Sequence, residues 1–196
     1  MDVNVFIKNW IDELRSLVNT GVKAGKRKPT IAIVCLDSKA DEEFIKTCKD
    51  IGFVGEIDKV DPKVLFDLID NEYLPVIAPV GFDDNFDTYN INADDAACAI
   101  AKAVGADKLA FLTDIEGVYK DINDPSSFLS RLTCSEADAL IAGGNIGGGM
   151  LPKLNNCTDA IRQGVNSVHI LDGRIAHCLL LEIFTNKGVG TMFTAD

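Results

Sequence analysis

The segment Gly143–Lys153 combines the residue types that bind phosphate. It reads GGNIGGGMLPK, with glycine at five of its first seven positions, and leads directly into a predicted helix. Glycine lets the backbone approach a ligand closely, and the N–H groups at a helix start attract anions. Lys153 lies in the first helical turn, where its ammonium group can reach phosphate oxygens. Phosphate binding is therefore favoured over a flexible turn with a solvated lysine. The segment is not a Walker loop, because the lysine does not directly follow G-x-x-x-x-G.

A second polar segment, YNINADD at residues 89–95, opens another predicted helix. Asn92 can cap that helix, and Asp94 and Asp95 fall in its first turn, where acidic side chains suit the helix dipole. Capping alone accounts for much of this pattern. A site that positions a polar substrate and lysine side chains, to which Asn90 and Asn92 would contribute, accounts for it equally well. From these residues alone, both interpretations stay open.

Two further segments carry weaker signals. The sequence LTDIEGVY, residues 112–119, fits a loop that lines a nucleotide, and it fits an ordinary turn after a strand as well. His177 and Glu182 lie on a predicted helix that precedes GVGT at residues 188–191. Their spacing is that of neither a metal site nor a catalytic pair. Considered on their own, these two side chains are predicted to lie at the surface.

The overall charge argues against one class of partner. The formal net charge is −11, whereas proteins that neutralise a nucleic-acid backbone need the opposite balance. Nucleic acid is therefore not expected as a partner. A nucleotide remains compatible with this charge, because a few local donors and a bound magnesium ion can hold it.

The cysteines and the hydropathy indicate an intracellular protein. None of the six cysteines forms a C-x-x-C pair, and the two histidines are not at zinc-finger spacing, so no metal site is predicted. Cys98 and Cys178 are predicted to be small buried hydrophobes, and reduced thiols are favoured over disulfides. The first residues do not read as a signal peptide, and every apolar run is shorter than the ~20 residues of a membrane span. We expect a cytoplasmic protein, or an organellar one after loss of a presequence, without membrane contact.

The apolar pattern predicts helices that alternate with strands from residue 61 onwards. The predicted helices are Asp61–Asn71, Ala93–Val104, Ser135–Gly143, Pro152–Gln163 and Leu179–Phe184, and the predicted strands are Leu74–Val80, Lys108–Thr113, Val168–Leu171 and Gly190–Phe193. Earlier in the chain, the pattern predicts an amphipathic helix at Val5–Val18, a buried strand at Thr30–Leu36, and a helix or ribbon at Ser38–Asp50. This alternation implies an α/β fold with helices on both faces of a parallel or mixed sheet. Ligands of such sheets bind at the carboxyl ends of the strands.

In their order and spacing, these segments resemble the amino-acid kinase family. YNINADDAACAIAKAVGADKLAFLTDIEGVY and GGNIGGGMLPK match its nucleotide-binding half, while VIAPVG and HILDGRIAHCLLLEIFTNKGVGTMF resemble its N-acetylglutamate kinase branch. The resemblance runs from about Gly52 to Phe193 and implies a three-layer αβα sandwich with a mainly parallel sheet. It also implies transfer of the γ-phosphoryl group of ATP, with Mg²⁺, to the γ-carboxylate of N-acetyl-L-glutamate in arginine biosynthesis.

The same resemblance implies roles for individual residues. Lys153 matches the lysine that stabilises the transferring phosphoryl group, and Asp94 matches the aspartate that orients the catalytic lysines. Asn90 matches the asparagine that holds N-acetylglutamate, and we place Asn92 in the same substrate site. The positions that line the nucleotide are Thr113, Asp114, Val118, Tyr119, Gly149 and Met150. The segment through which some members sense arginine corresponds to His177, Glu182, Gly188 and Gly190. A homo-oligomer is expected.

The first 51 residues depart from the family pattern. The family normally begins with a strand that carries K-x-G-G, followed by a G-G-G loop and an arginine. These motifs bind phosphate and N-acetylglutamate in the family. They are missing from this sequence. Residues 1–51 are therefore predicted to be the remnant of an amino-terminal lobe truncated in this chain, beside a nucleotide-binding domain at residues 52–196. Two alternatives to a working kinase follow. One is a non-catalytic module that binds nucleotide or arginine, and the other is a fragment that folds poorly because it exposes apolar surface.

Overall fold

The computed structural model describes Ile31–Ala32 and residues 55–144, 146, 149–186 and 188–196. The predicted helix at Val5–Val18 and the predicted segment Ser38–Asp50 lie outside this part of the chain. The predicted strand Thr30–Leu36 is described only at Ile31–Ala32, and these two residues do form a strand, β1. Three residues of the glycine-rich segment, at positions 145, 147 and 148, are also outside it.

The described part is built on a five-stranded sheet with β1 at one edge. From β1 the sheet continues in space with β4 (Lys108–Thr113), β8 (Ser167–Asp172), β9 (Thr191–Thr194) and, at the other edge, β7 (Arg131–Thr133). The pairs β1–β4, β4–β8 and β7–β9 are parallel, whereas β8 and β9 are antiparallel. The prediction of a mainly parallel sheet is therefore confirmed.

Helices cover both faces of this sheet. The described helices are α1 (Lys63–Asp70), α2 (Ala93–Ala103), α3 (Cys134–Ala142), α4 (Met150–Arg162) and α5 (Cys178–Phe184). The main core joins α2, α3 and α4 to the alternate strand residues Leu109, Phe111, Val168 and Ile170. The intervening residues Leu112 and Leu171 pack with α5 on the opposite face. These layers form the αβα sandwich that was predicted. Within the described residues, no helix is long and apolar enough to cross a membrane.

The predicted boundaries of the helices agree with the structure within two residues. The side chain of Asn92 accepts the backbone N–H groups of Asp94 and Asp95 and so caps α2, as predicted. Helix α3 begins one residue earlier than predicted, because Thr133 forms a capping box with Glu136. Helix α4 begins two residues earlier, and Pro152 fits inside its first turn because N–H groups there have no partner within the helix.

The predicted strand Leu74–Val80 is wrong. Residues 74–78 form no strand; instead, β2 (Val80–Phe82) and β3 (Thr88–Asn90) make a separate antiparallel hairpin. Pro75 and Pro79 have no N–H to donate to a ladder, which explains why an apolar, β-branched run fails to join the sheet. A second short hairpin, formed by β5 (Val118–Tyr119) and β6 (Phe128–Leu129), was not predicted.

The described cysteines, Cys98, Cys134, Cys157 and Cys178, are buried. The prediction that Cys98 and Cys178 act as small buried hydrophobes is confirmed, since both are at most 4% exposed. Burial raises the pKa of the Cys98 thiol to about 12, so it stays protonated and unreactive at neutral pH.

Gly190 lies so close to β8 that a side chain does not fit. A Cβ at this position would stand 2.2 Å from the carbonyl oxygen of Ile170 and 2.5 Å from Cδ2 of Leu171. Because Ile170 pairs with Thr191, β8 and β9 cannot separate without breaking their ladder. We expect Gly190→Ala to lower the free energy of unfolding by about 3 kcal/mol.

Urea unfolding of this variant beside Gly81→Ala measures the effect. A Cβ at Gly81 would make only ordinary contacts with Ile91 at 3.5 Å, so this control should unfold nearly like the parent chain. Equal losses in the two variants would show that the close approach at Gly190 does not matter.

Candidate active site

Two helix N-termini meet at the carboxyl edge of the sheet. Helix α2 packs on β4 and precedes it, and α4 packs on β8 and precedes it. The short connections at residues 104–107 and 163–166 join the carboxyl end of each helix to the amino end of its strand. Each helix therefore starts at the carboxyl end of the strand that follows it. In open α/β sheets this edge is where ligands bind.

Lys153 and Asp94, predicted from two distant segments, are in contact at this edge. Nζ of Lys153 lies 2.6 Å from Oδ2 of Asp94 and 5.2 Å from the ring centroid of Phe111 on β4. Lys153 is only 8% exposed. A carboxylate on one side and an aromatic face on the other therefore hold its ammonium group in one place. The result is a fixed positive charge where two helices begin.

Further polar contacts fix how α2 and α4 pack together. Nδ2 of Asn156 donates to Oδ1 of Asp95 at 2.7 Å, and Nζ of Lys102 lies 2.8 Å from Oδ2 of Asp159. With the Lys153–Asp94 pair, they link the two helices from their first turns to the last turn of α2. The relative position of Lys153 and Asp94 therefore depends on the packing of the whole helix pair.

The two asparagines of the predicted substrate site lie just before α2. Asn90 is the last residue of β3 and is 8% exposed, and its carbonyl oxygen accepts the N–H of Gly55 at 3.0 Å. The side-chain oxygen of Asn92 accepts the N–H groups of Asp94 and Asp95 at 2.9 and 3.1 Å. That oxygen is therefore occupied by helix capping, and the observed contacts of Asn92 position Asp94.

The start of α4 carries the features required for anion binding. Its N-cap, Gly149, has φ −67° and ψ −13° and makes no side-chain capping bond. The first N–H groups of the helix therefore have no side-chain acceptor from their cap. Met150 follows directly and packs against the main core. Phosphate oxygens would find backbone donors here, next to the ammonium group of Lys153.

The predicted nucleotide residues after β4 lie partly at this edge and partly in the core. Thr113 is buried at the end of β4, and its Oγ1 accepts the N–H of Ile115 at 3.1 Å, while Asp114 is exposed. The side chain of Val118 lies in the core, and its N–H donates to Oγ1 of Thr191 at 2.8 Å. The hydroxyl of Tyr119 donates to Glu116. Thr113 and Asp114 therefore share the edge with Lys153, while Val118 offers no side chain to it.

Two polar residues at the same edge were missed by the sequence analysis. Asp172 ends β8, pairs in register with Thr113, and is 5% exposed. Nε and Nη2 of Arg174 donate to its two carboxylate oxygens at 2.8 and 2.9 Å. This bonding holds the pKa of Asp172 below its ordinary value, although burial acts in the opposite direction. The available signal was the polar run DGR directly after an apolar strand.

The prediction that Glu182 lies at the surface is wrong. Its side chain is 7% exposed on the opposite face of the sheet, with Oε1 2.9 Å from Nδ1 of His169. Oε2 accepts the N–H of Val189 at 2.7 Å. The hydrogen bond with His169 holds the pKa of Glu182 below its ordinary 4.5, against the effect of burial. The sequence did not reveal this contact because His169 lies on a strand and Glu182 on a later helix.

Of the other candidate effector residues, Gly188 lies beside Glu182, whereas His177 lies at the start of α5. Gly188 has φ +56°, and a Cβ there would stand 3.0 Å from Oε2 of Glu182. Gly190 follows Val189 in the same segment. His177 instead occupies the N-cap position of α5, makes no side-chain capping bond there, has φ +61° and is exposed. The histidine observed in contact with Glu182 is His169.

Comparison with known proteins agrees with this arrangement. Residues 11–172 match the model of the amino acid kinase family. The chain belongs to this family. An acetylglutamate kinase from Campylobacter jejuni subsp. jejuni serotype O:2 is 48% identical over 98% of this chain and 66% of that protein. One from Heliobacterium modesticaldum is 51% identical over 73% of this chain and 48% of that protein. The chain spans about two thirds of the length of the Campylobacter relatives that it matches.

Solved structures of the amino acid kinase fold resemble the described part. N-acetylglutamate synthase from Neisseria gonorrhoeae, complexed with coenzyme A and L-arginine, superposes with a TM-score of 0.67 at 28% identity, over 74% of this chain and 33% of that protein. A carbamate kinase from Giardia gives 0.56 at 25% identity, over 71% of this chain and 49% of that protein. Both similarities agree with the sheet and helix layers described above.

Proposed function

We propose that this protein is an acetylglutamate kinase, which transfers the γ-phosphoryl group of ATP to the γ-carboxylate of N-acetyl-L-glutamate. The product is an acyl phosphate on the route to arginine. The observation that carries this proposal is the contact of the buried Lys153 with the half-buried Asp94 beside the start of α4. The choice of substrate is supported by the acetylglutamate kinases whose sequences are 48% and 51% identical to this chain.

The pair suits phosphoryl transfer, because enzymes catalyse this reaction mainly by positioning and charge compensation. Lys153 compensates the negative charge that develops on the transferring group. Asp94 holds Lys153 in place at 2.6 Å. Asn90 and Asn92, which precede Asp94, bind N-acetyl-L-glutamate in this proposal, with Asn92 acting at least by capping α2.

The nucleotide binds between the start of α4 and the end of β4. Gly149 and Met150 supply backbone donors, and Thr113 and Asp114 line the edge. Tyr119 contributes its exposed hydroxyl, and Val118 contributes its carbonyl, because its N–H is bonded to Thr191. Within the described residues, no group of three or more histidine, cysteine or acidic side chains could hold a metal ion. Mg²⁺ would be held mainly by the phosphate oxygens of the nucleotide, since it is usually bound by few carboxylates together with substrate phosphates. Its charge neutralises the phosphate oxygens when it is bound.

The proposal extends to regulation and organisation. Glu182, Gly188 and Gly190 form a candidate arginine-effector site, with His177 at the other end of α5. Residues 1–51 belong to an amino-terminal lobe, and residues 52–196 form the nucleotide-binding domain. The protein acts in the cytoplasm as a homo-oligomer.

The deciding experiment measures ADP release from Mg-ATP by the purified chain, with and without N-acetyl-L-glutamate. We expect N-acetyl-L-glutamate to stimulate release and unacetylated L-glutamate to stimulate it far less. Saturable ADP binding without any stimulation of ADP release would refute the kinase activity and favour a non-catalytic nucleotide-binding module. A cooperative thermal transition at a single molecular size excludes poor folding as the cause of a negative result.

A further inference from the structure

Arg174 carries a guanidinium group that is fixed on one side and open on the other. Nε and Nη2 donate to the carboxylate of Asp172, and the backbone N–H of Arg174 donates to the same carboxylate at 2.9 Å. The Asp172 side chain is 8% exposed, whereas that of Arg174 is 65% exposed. A guanidinium has more N–H donors than these two bonds use. Within the part of the chain that the structure describes, no acceptor takes the remaining ones.

Arg174 lies at the same edge of the sheet as Lys153. Phe111 and Ile170 face the main core, so the alternation of side chains places Thr113 and Asp172 on that face too. Helix α4 packs on β8 from this face and begins at its carboxyl end. Arg174 follows β8 by two residues. The start of α4 and Arg174 therefore lie at the same edge of the sheet.

We propose that Arg174 binds the phosphate chain of the nucleotide at the carboxyl edge of the sheet, the edge at which Lys153 and the start of α4 also lie. The proposal rests on the proposed function, because it requires a nucleoside polyphosphate in this site. A planar guanidinium fork matches phosphate oxygens. Asp172 already holds the fork in position, so little side-chain freedom is lost when the phosphate binds.

Two carboxylates near Arg174 restrict where a bound phosphate can lie. Asp172 raises the pKa of Arg174 by hydrogen bonding, and the charges of Asp114 and Glu116 are close enough to raise it further. These two exposed carboxylates repel phosphate on their side of Arg174. In this proposal the phosphate chain therefore lies away from them, and its other contacts are Lys153 and the N–H groups of α4.

The competing explanation is that Arg174 only neutralises the buried Asp172. A residue with that role alone stabilises the fold and has no preference among nucleotides. A phosphate ligand instead distinguishes nucleotides by their number of phosphates. The affinities for ATP, ADP, AMP and adenosine therefore separate the two explanations.

Calorimetric titration of the full chain with these four compounds tests the proposal. For Arg174→Ala we expect the affinity for ATP to fall about 10- to 100-fold, that for ADP and AMP to fall less, and that for adenosine to stay unchanged. Arg174→Lys should give an intermediate loss. The matched control is Arg162→Ala, because Arg162 also pairs with an aspartate, Asp138, but at the far end of α4 with both side chains 52% exposed. It should bind all four compounds like the parent chain.

An unchanged affinity for ATP, or an equal loss for ATP and adenosine, would overturn the proposal. If Arg174→Ala fails to fold because Asp172 is left unpaired, Asp172→Asn is combined with Arg174→Ala to remove the buried charge. The affinities of this double variant for ATP, ADP, AMP and adenosine are then compared in the same way. A parent chain that binds ATP but does not phosphorylate N-acetyl-L-glutamate would refute the proposed reaction alone, and the affinity series would still decide the role of Arg174. A parent chain that binds none of the phosphates would overturn both.

Discussion

Replacing Lys153 with methionine is expected to reduce the N-acetyl-L-glutamate-dependent rate of ADP release by about 10²–10³-fold, the cost of removing one preorganised donor to the transition state. Methionine keeps an apolar stem over Phe111 but cannot carry the charge that Lys153 places 2.6 Å from Asp94. Because a fixed charge acts mainly on the transition state, we expect the loss to appear in kcat more than in KM. Steady-state kinetics with varied N-acetyl-L-glutamate separates the two.

Lys102→Met is the matched control for this prediction. Lys102 also joins α2 to α4, through Asp159 at 2.8 Å, but it lies in the last turn of α2, away from the candidate site. Its loss should leave kcat nearly unchanged. If both variants lose activity to the same extent, Lys153 acts only by holding the two helices together, and its assigned role is refuted.

Replacing Glu182 with alanine is expected to lower the free energy of unfolding by about 2–4 kcal/mol, because two buried groups then lose the carboxylate that they hydrogen-bond. The substitution leaves His169 without its partner at 2.9 Å and the N–H of Val189 without its acceptor at 2.7 Å. The loss should therefore also loosen the segment at residues 188–190. Urea unfolding gives the energy, and hydrogen exchange at Val189 reports the local effect.

Two further variants make this prediction specific. Asp138→Ala breaks the exposed Arg162–Asp138 pair and should leave the unfolding midpoint nearly unchanged, since exposed pairs contribute little. His169→Leu combined with Glu182→Leu removes both partners and should recover part of the loss, because no buried imidazole is then left without its hydrogen-bond partner. A Glu182→Ala variant as stable as Asp138→Ala would contradict the burial of this pair.

The sequence by itself determined the elements that depend on neighbouring residues. The strand at Lys108–Thr113 was predicted with the bounds that the structure has, because an apolar run of this kind is typical of a strand covered on both faces. The cap of α2 at Asn92 and the glycine-rich approach to α4 were predicted for the same reason, since both depend on local backbone chemistry. The motifs also gave the family. The predicted roles of the site residues stay predictions until the variants are measured.

Only the tertiary structure decided which of these residues meet. Lys153 contacts Asp94 across 59 positions of sequence, and Glu182 is buried because the chain returns it to His169 on β8. Leu74–Val80 has an apolar pattern like that of a core strand but stays outside the sheet, because its prolines cannot complete a ladder. Pairing between distant segments depends on how strands align and helices pack. No pattern in a short window of sequence contains that information.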